Sequence, residues 1–142
     1  MKESINKVNI YCDGGSRGNP GKAASAFVVK NEEGEVLHEE GRFIGSTTNN
    51  VAEYTAVLMA LTWLKENEKF KDTFPEFFLD SELVVKQLRG EYKIKNKNLM
   101  EFVFKIKELE KEVGKKVSYK NIPRSQNSLA DLLVNKTLDA QK

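Results

Sequence analysis

Four carboxylates stand apart from the other acids of this chain. Asp13 follows an alternating apolar run and precedes Gly14 and Gly15. Asp80 ends the apolar run FFLD, and Glu53 and Asp131 fall near the starts of two helical patterns. A carboxylate that ends a buried strand is held on rigid backbone and points into the crevice beyond the sheet edge, where open α/β sheets place their ligands. An acid near a helix N-terminus is stabilised by the positive end of the dipole. Each of the four also has a local explanation. Asp13 suits an Asx turn, Asp80 suits an N-cap for the helix that follows, and Glu53 and Asp131 suit dipole compensation at a surface. Their joint placement favours chemistry. If the first and fourth strands are neighbours, Asp13 and Asp80 lie side by side, and like carboxylates held close in a partly buried site repel one another. Divalent cations relieve that repulsion. Oxygen ligands without His or Cys favour Mg²⁺ or Mn²⁺. Two such ions about 4 Å apart can activate a water and stabilise the leaving oxygen in phosphodiester cleavage.

The rest of the composition narrows the chemistry. The single histidine, His38, excludes a multi-histidine zinc site and disfavours histidine-centred catalysis. The single cysteine, Cys12, excludes an internal disulfide and suits a reducing, cytoplasmic compartment. No apolar run approaches the roughly 18 residues of a membrane span, and MKESINK leads straight into a strand-like run without a signal-peptide pattern. A length of 142 residues predicts one domain, 1–142. The net charge of +2 conceals an asymmetry: residues 86–124 carry 12 Lys/Arg against 5 Asp/Glu. That excess reads either as a lysine-rich solvated helix surface or as a basic half that meets polyanions.

The carboxylates need elements to position them. Residues 7–12 alternate as a strand, with Val8, Ile10 and Cys12 on one face and Asn9, Tyr11 and Asp13 on the other. GGSRGNPG (14–21) reads as a turn. Residues 24–30 and 36–44 are strands joined by a turn at 31–35, giving an antiparallel meander. Residues 47–67 are the strongest helical pattern, with Val51, Tyr54, Leu58, Leu61 and Leu64 at helical spacing and Thr48 or Asn49 as N-cap. Pro75 breaks the chain before a short strand at 76–79. Helices follow at 81–89 and 98–113, then a strand at 116–122, a loop at 123–127 and a last helix at 129–140. The order β-β-β-α-β-α-α-β-α predicts a mixed sheet with helices packed on it.

Four segments, YCDGGSRGNPG (11–21), TTNNVAEYTAVLMAL (47–61), LDSELVVKQLRGEYKIKN (79–96) and IPRSQNSLADLLVNKTLD (122–139), resemble the motif blocks of type 1 ribonuclease H, in the family's order and spacing. The resemblance implies a ribonuclease H-like α/β fold with a five-stranded mixed sheet, order 3-2-1-4-5, flanked by helices. It implies that Asp13, Glu53, Asp80 and Asp131 form a catalytic cluster holding two Mg²⁺ or Mn²⁺ ions. It also implies cleavage of the RNA strand of RNA–DNA hybrids, leaving 5′-phosphate and 3′-hydroxyl ends. Asp13 would bridge both ions, Glu53 and Asp80 would complete the leaving-group side, and Asp131 would serve the attacking water. Asn19, Asn49 and Asn50 match positions that contact the RNA strand around its 2′-hydroxyls, and Thr48 a position that holds a DNA phosphate. The amides of Gly14 and Gly15 would approach the minor groove. Asn49 and Asn50 are equally good helix-start residues, and Asn19 with Pro20 a good turn.

The chain departs from many members in three ways. The loop IPRSQNS lacks their histidine, and Arg124 is the nearest candidate in its place; His38 reads as structural or exposed. The turn GEYKIKNKN (90–98) carries no tryptophan-bearing basic protrusion, which leaves the grip on hybrid to Lys86, Arg89, Lys93, Lys95 and Lys97, with Tyr92 stacking or packing. Trp63 reads as core. No hybrid-binding domain is expected ahead of the catalytic block, since Asp13 comes so soon after the start. The expected partner is the RNA–DNA hybrid duplex, with no membrane and no obligate protein partner, and the expected state is a standalone monomer. The rival expectations are a silent hybrid- or RNA-binding module, a nuclease that also cuts double-stranded RNA or DNA junctions, and the released end of a polyprotein.

Overall fold

The computed structural model describes residues 7–113 and 116–141; the first six residues, read above with the leader segment, lie outside that range. Five strands form one sheet in the order β3-β2-β1-β4-β5, as the resemblance implies. They are β1 (Lys7–Arg17), β2 (Gly21–Lys30), β3 (Val36–Thr47), β4 (Phe74–Leu79) and β5 (Ser118–Asn121). The first three are antiparallel neighbours, while β4 runs parallel to both β1 and β5. The helices are α1 (Asn49–Glu66), α2 (Glu82–Leu88), α3 (Lys97–Val113) and α4 (Ser128–Asp139).

Two cores cover the two faces of the sheet. Val8, Ile10, Cys12, Phe27 and Val29 pack with Tyr54, Val57, Leu61 and Leu64 of α1, and α3 adds Leu99 and Ile106. Ala24 and Ala26 pack with Val134 and Leu138 of α4. Helix α1 lies between the sheet and α3, so its buried residues include Ala52, Ala56 and Ala60 as well as the larger apolar side chains. Small residues let a helix approach a strand closely, and Ser25 Oγ fastens the contact by donating to the Ala52 carbonyl at 2.6 Å. His38 stacks on Trp63 at 4.6 Å between ring centroids, and Trp63 meets Phe70 at 5.0 Å; of the two readings of His38 this contact favours the structural one, and Trp63, read as core, is half-buried against it.

Two expectations need correction. Residues 14–17 are not part of a turn, because β1 continues through Arg17 in register with residues 22–25 of β2. Only residues 18–20 form the tip, where Gly18 takes a φ of +91°. Glycines read as a turn here serve close packing inside a strand. Pro75 likewise does not break the chain. It is buried inside β4, opposite Val8, one residue before the segment that pairs with β5. A proline is tolerated where no neighbour on one side needs its missing N–H.

Candidate active site

Asp13 lies within β1, opposite Ala26, rather than at the strand's end or in an Asx turn. Asp80 directly follows β4. The parallel register that sets Tyr11 beside Phe78 brings Asp80 level with Asp13 two residues later. Asp80 is not the cap of α2; Ser81 holds that position, its Oγ accepting from the Val84 N–H at 3.3 Å. Glu53 is only 7% exposed, which removes the surface dipole reading for it. One carboxylate oxygen from each of Asp13, Glu53 and Asp80 lies within 4.8 Å of the others. Three separate elements therefore deliver three acids to one point.

Asp131 stands outside this triad. It occupies the first turn of α4, is half-buried, and lines the same cleft of about 470 Å³ as Asp13 and Glu53. Its charge reaches the triad, since it is among the causes that raise Asp13. Burial, then Asp80, then Asp131 push the Asp13 carboxyl from 3.8 up to about 7. Burial, then the charges of Asp13 and Asp80, raise Glu53 well above its ordinary value. The Gly14 N–H lowers both.

The donor set fits a hard divalent cation. It contains only carboxylate oxygens, and Glu53 Oε1 is buried without a hydrogen-bond partner. Buried polar atoms normally have partners, and neutralising cations would offset the burial and mutual repulsion that raise the carboxyls.

The groups expected to touch nucleic acid fall into three sets. Thr48 is the N-cap of α1, its Oγ1 accepting from the Val51 N–H at 3.2 Å. Asn19 Oδ1 accepts from the Asn49 N–H at 3.0 Å, and Asn49 Oδ1 accepts from the Ser16 N–H at 2.8 Å and Ser16 Oγ at 3.1 Å. These bonds tie the β1–β2 tip to the start of α1. They use both amide oxygens and leave the amide nitrogens as the donors to offer a ligand. Gly14, Gly15, Asn49, Asn50 and Arg124 all border the cleft that holds the acids. The lysines form a separate set. Lys93 and Lys95 are exposed on either side of the half-buried Ile94, and Lys97 opens α3. Lys86 pairs with Glu82 at 3.4 Å and lies 5.2 Å over the Tyr92 ring, while Arg89 pairs with Glu91 at 3.2 Å. Tyr92 thus meets a cation, though its ring stays exposed.

The sequence reading missed Asn127, Ser16 and Arg17. Asn127 is 1% exposed and bonds to the strand that carries Asp13. Its place, four residues before Asp131 at the start of a helix, was the available signal. Arg17 borders the cleft and pairs with Asp139 at 2.8 Å.

Comparison with known proteins agrees with this geometry. The sequence profile of the family described as "Reverse transcriptase-like" matches residues 11–137. The bifunctional protein Rv2228c of Mycobacterium tuberculosis is 38% identical over 135 residues, covering 94% of this chain and 36% of that protein. Ribonuclease HI of Halobacterium salinarum is 38% identical over 133 residues, covering 94% of this chain and 65% of that protein. The chain therefore spans about a third of the length of the mycobacterial relative. Among solved structures, LC11-RNase H1, isolated from compost, superposes with a TM-score of 0.91 at 44% identity, covering 96% of this chain and 98% of that one. The same protein has been solved in complex with an RNA/DNA hybrid, at a TM-score of 0.90.

Proposed function

The chain belongs to the type 1 ribonuclease H family, and from that membership we propose that it is an endoribonuclease that hydrolyses the RNA strand of RNA–DNA hybrids. The single observation that carries the reading is the convergence of Asp13, Glu53 and Asp80 within 4.8 Å. A protein that only bound hybrid would gain nothing from burying mutually repelling acids. LC11-RNase H1 in complex with hybrid supports the choice of substrate. The active unit is one catalytic domain over 1–142, a monomer acting in the cytoplasm. No helix among the described residues is long and apolar enough to cross a membrane.

Asp13, Glu53, Asp80 and Asp131 would together hold two ions of Mg²⁺ or Mn²⁺, with Asp13 serving both. Glu53 and Asp80 would complete the leaving-group side, and Asp131 would serve the attacking water. When bound, the cations supply the positive charge that activates the water and stabilises the leaving oxygen. Water oxygen joins phosphorus as the P–O3′ bond breaks, the water losing a proton to solvent and O3′ taking one up from it, which leaves 5′-phosphate and 3′-hydroxyl ends. Phosphoryl chemistry of this kind asks the protein for position and charge more than for covalent groups. Asn19, Asn49 and Asn50 read the ribose, and the free amide nitrogens of Asn19 and Asn49 make donation to the 2′-oxygen their natural contact. Thr48 holds a DNA phosphate, Gly14 and Gly15 border the minor groove, and Lys93, Lys95 and Lys97 meet the backbone.

Matched RNA–DNA, RNA–RNA and DNA–DNA duplexes, each incubated with Mg²⁺ and then Mn²⁺, test this reading. RNA cut only in the hybrid is the expected result. Cleavage of none would overturn it in favour of a binding module.

A further inference from the structure

We propose that Asn127 is a positioning residue that sets the spacing of the metal-binding carboxylates, an inference that rests on the function proposed above and deepens it. Asn127 stands directly before α4 and is 1% exposed. An asparagine there ordinarily caps the helix with its side chain. Here it makes no side-chain cap bond, and its φ of −117° with ψ of 28° is not the extended geometry of a cap. The side chain is committed elsewhere. Nδ2 donates to the Cys12 carbonyl at 2.8 Å, across 115 residues of sequence, with Asp80 Oδ2 a longer 3.4 Å away. The Asn127 carbonyl accepts from the Asp131 N–H at 3.1 Å. One residue thus touches the peptide that leads into Asp13, the carboxylate of Asp80 and the backbone of Asp131.

The remaining atom carries the argument further. Because Nδ2 must face the Cys12 carbonyl, the amide orientation is fixed, and Oδ1 is buried without a partner. A buried acceptor left unpaired costs stability. A side chain that forgoes capping and leaves an oxygen orphaned breaks two local rules at once, which marks a site where function outweighs stability. Groups that orient metal ligands through hydrogen bonds typically govern affinity by about 10- to 100-fold.

The test compares the wild type with Asn127→Leu and Asn127→Ser. Mn²⁺ is titrated calorimetrically into protein free of nucleic acid, and kcat and KM are measured on a hybrid. Asn127→Leu removes the orphaned oxygen but also the donor to the Cys12 carbonyl, so its melting temperature is measured alongside to confirm folding. Its Mn²⁺ affinity and kcat should each fall by about 10-fold or more, with KM on hybrid within about twofold and kcat partly restored by excess Mn²⁺. Asn127→Ser, which keeps a donor, should lie between the two. An unchanged Mn²⁺ affinity in Asn127→Leu overturns the proposal. If that variant fails to fold, unchanged affinity in Asn127→Ser overturns it equally. A wild type that binds Mn²⁺ yet cuts no hybrid defeats the proposed function alone, because the Mn²⁺ affinities still decide the role of Asn127.

Discussion

Gly14 of β1 and Ala52 of α1 meet backbone to backbone, with no room for a side chain between them. A Cβ on Gly14 would stand 2.6 Å from the Glu53 nitrogen and closer still to the Ala52 carbonyl. The absence of one methyl group therefore lets α1 settle onto the sheet and carry Glu53 to Asp13. Gly14→Ala should destabilise the protein by about 3 kcal/mol or more, because backbone cannot yield as a side chain can. The midpoint of urea unfolding measures this. Gly15→Ala is the internal control: its Cβ would meet Val134 at an ordinary 3.8 Å, so its stability should change by under about 1 kcal/mol. Equal loss in both would mean that α1 is not held as described.

The acids make the metal-free protein sensitive to pH. The Asp13 carboxyl sits at about 7 against an ordinary 3.8, chiefly through burial. A carboxyl whose folded value lies above its unfolded value binds its proton more tightly in the native state. Its contribution is fully present below about pH 4 and is lost as pH rises toward 7. At about 1.4 kcal/mol per pH unit, that loss reaches at most about 4 kcal/mol. Unfolding midpoints of metal-free protein should therefore fall between pH 4 and 8, and millimolar Mg²⁺ or Mn²⁺ at pH 8 should restore them. A flat profile would mean that the acids are not crowded.

Asp13→Asn separates chemistry from folding. The variant should lose hybrid cleavage by a factor of 10³ or more on the order expected for a central electrostatic group. It should also unfold at higher urea than the wild type in metal-free buffer at pH 8, since one repelling charge is gone. Cleavage at the wild-type rate would sink the assignment. An inactive but destabilised variant would move Asp13 from the metal set to the core.

The site was partly legible in the sequence because catalysis by charge needs particular residue types held on predictable elements. Alternation fixed the strand that leads to Asp13, and FFLD fixed the one that leads to Asp80. Their parallel pairing, on which the convergence depends, needed the structure, since register is a property of two segments. The bounds of β1 were obscured because Gly14 and Gly15 serve packing, and glycine in a strand looks like a turn until its neighbour is seen. Asn127 was legible only by its place before a helix, and its role was hidden for a different reason. Its importance comes from the Cys12 carbonyl, a backbone atom that no residue type advertises. Asp80 shows the reverse: in sequence it competes with Ser81 for the cap, and only the Ser81 hydroxyl bond to Val84 resolves which residue is free.

Hybrid affinity should depend strongly on salt, because each phosphate contact releases counterions. Lys93 and Lys95 are held outward by the packing of Ile94, and Lys107 steadies the preceding turn by donating to the Leu88 carbonyl at 2.6 Å. If the three lysines each meet a phosphate, replacing Lys93, Lys95 and Lys97 with Ala should lower the slope of log affinity against log salt by about 2 to 3. The binding is measured by anisotropy on the Asp13→Asn variant, which leaves the substrate uncut. An unchanged slope would assign the grip to the cleft itself.

Arg124 borders the cleft from a turn that precedes α4, and Asp131 lines the same cleft. Arginine chemistry attracts phosphate through a planar cationic fork and does not relay protons near neutral pH. Arg124→Ala should therefore lower kcat several-fold, leave KM within about twofold, and leave the shape of the pH–rate profile unchanged. Arg124→His makes the distinction sharper. Histidine titrates near 6.5 when unperturbed, so this variant should introduce a new limb in the profile close to that pH. A limb already present in the wild type and lost in Arg124→Ala would contradict the electrostatic role, and an unchanged kcat in Arg124→Ala would return Arg124 to the ordinary surface.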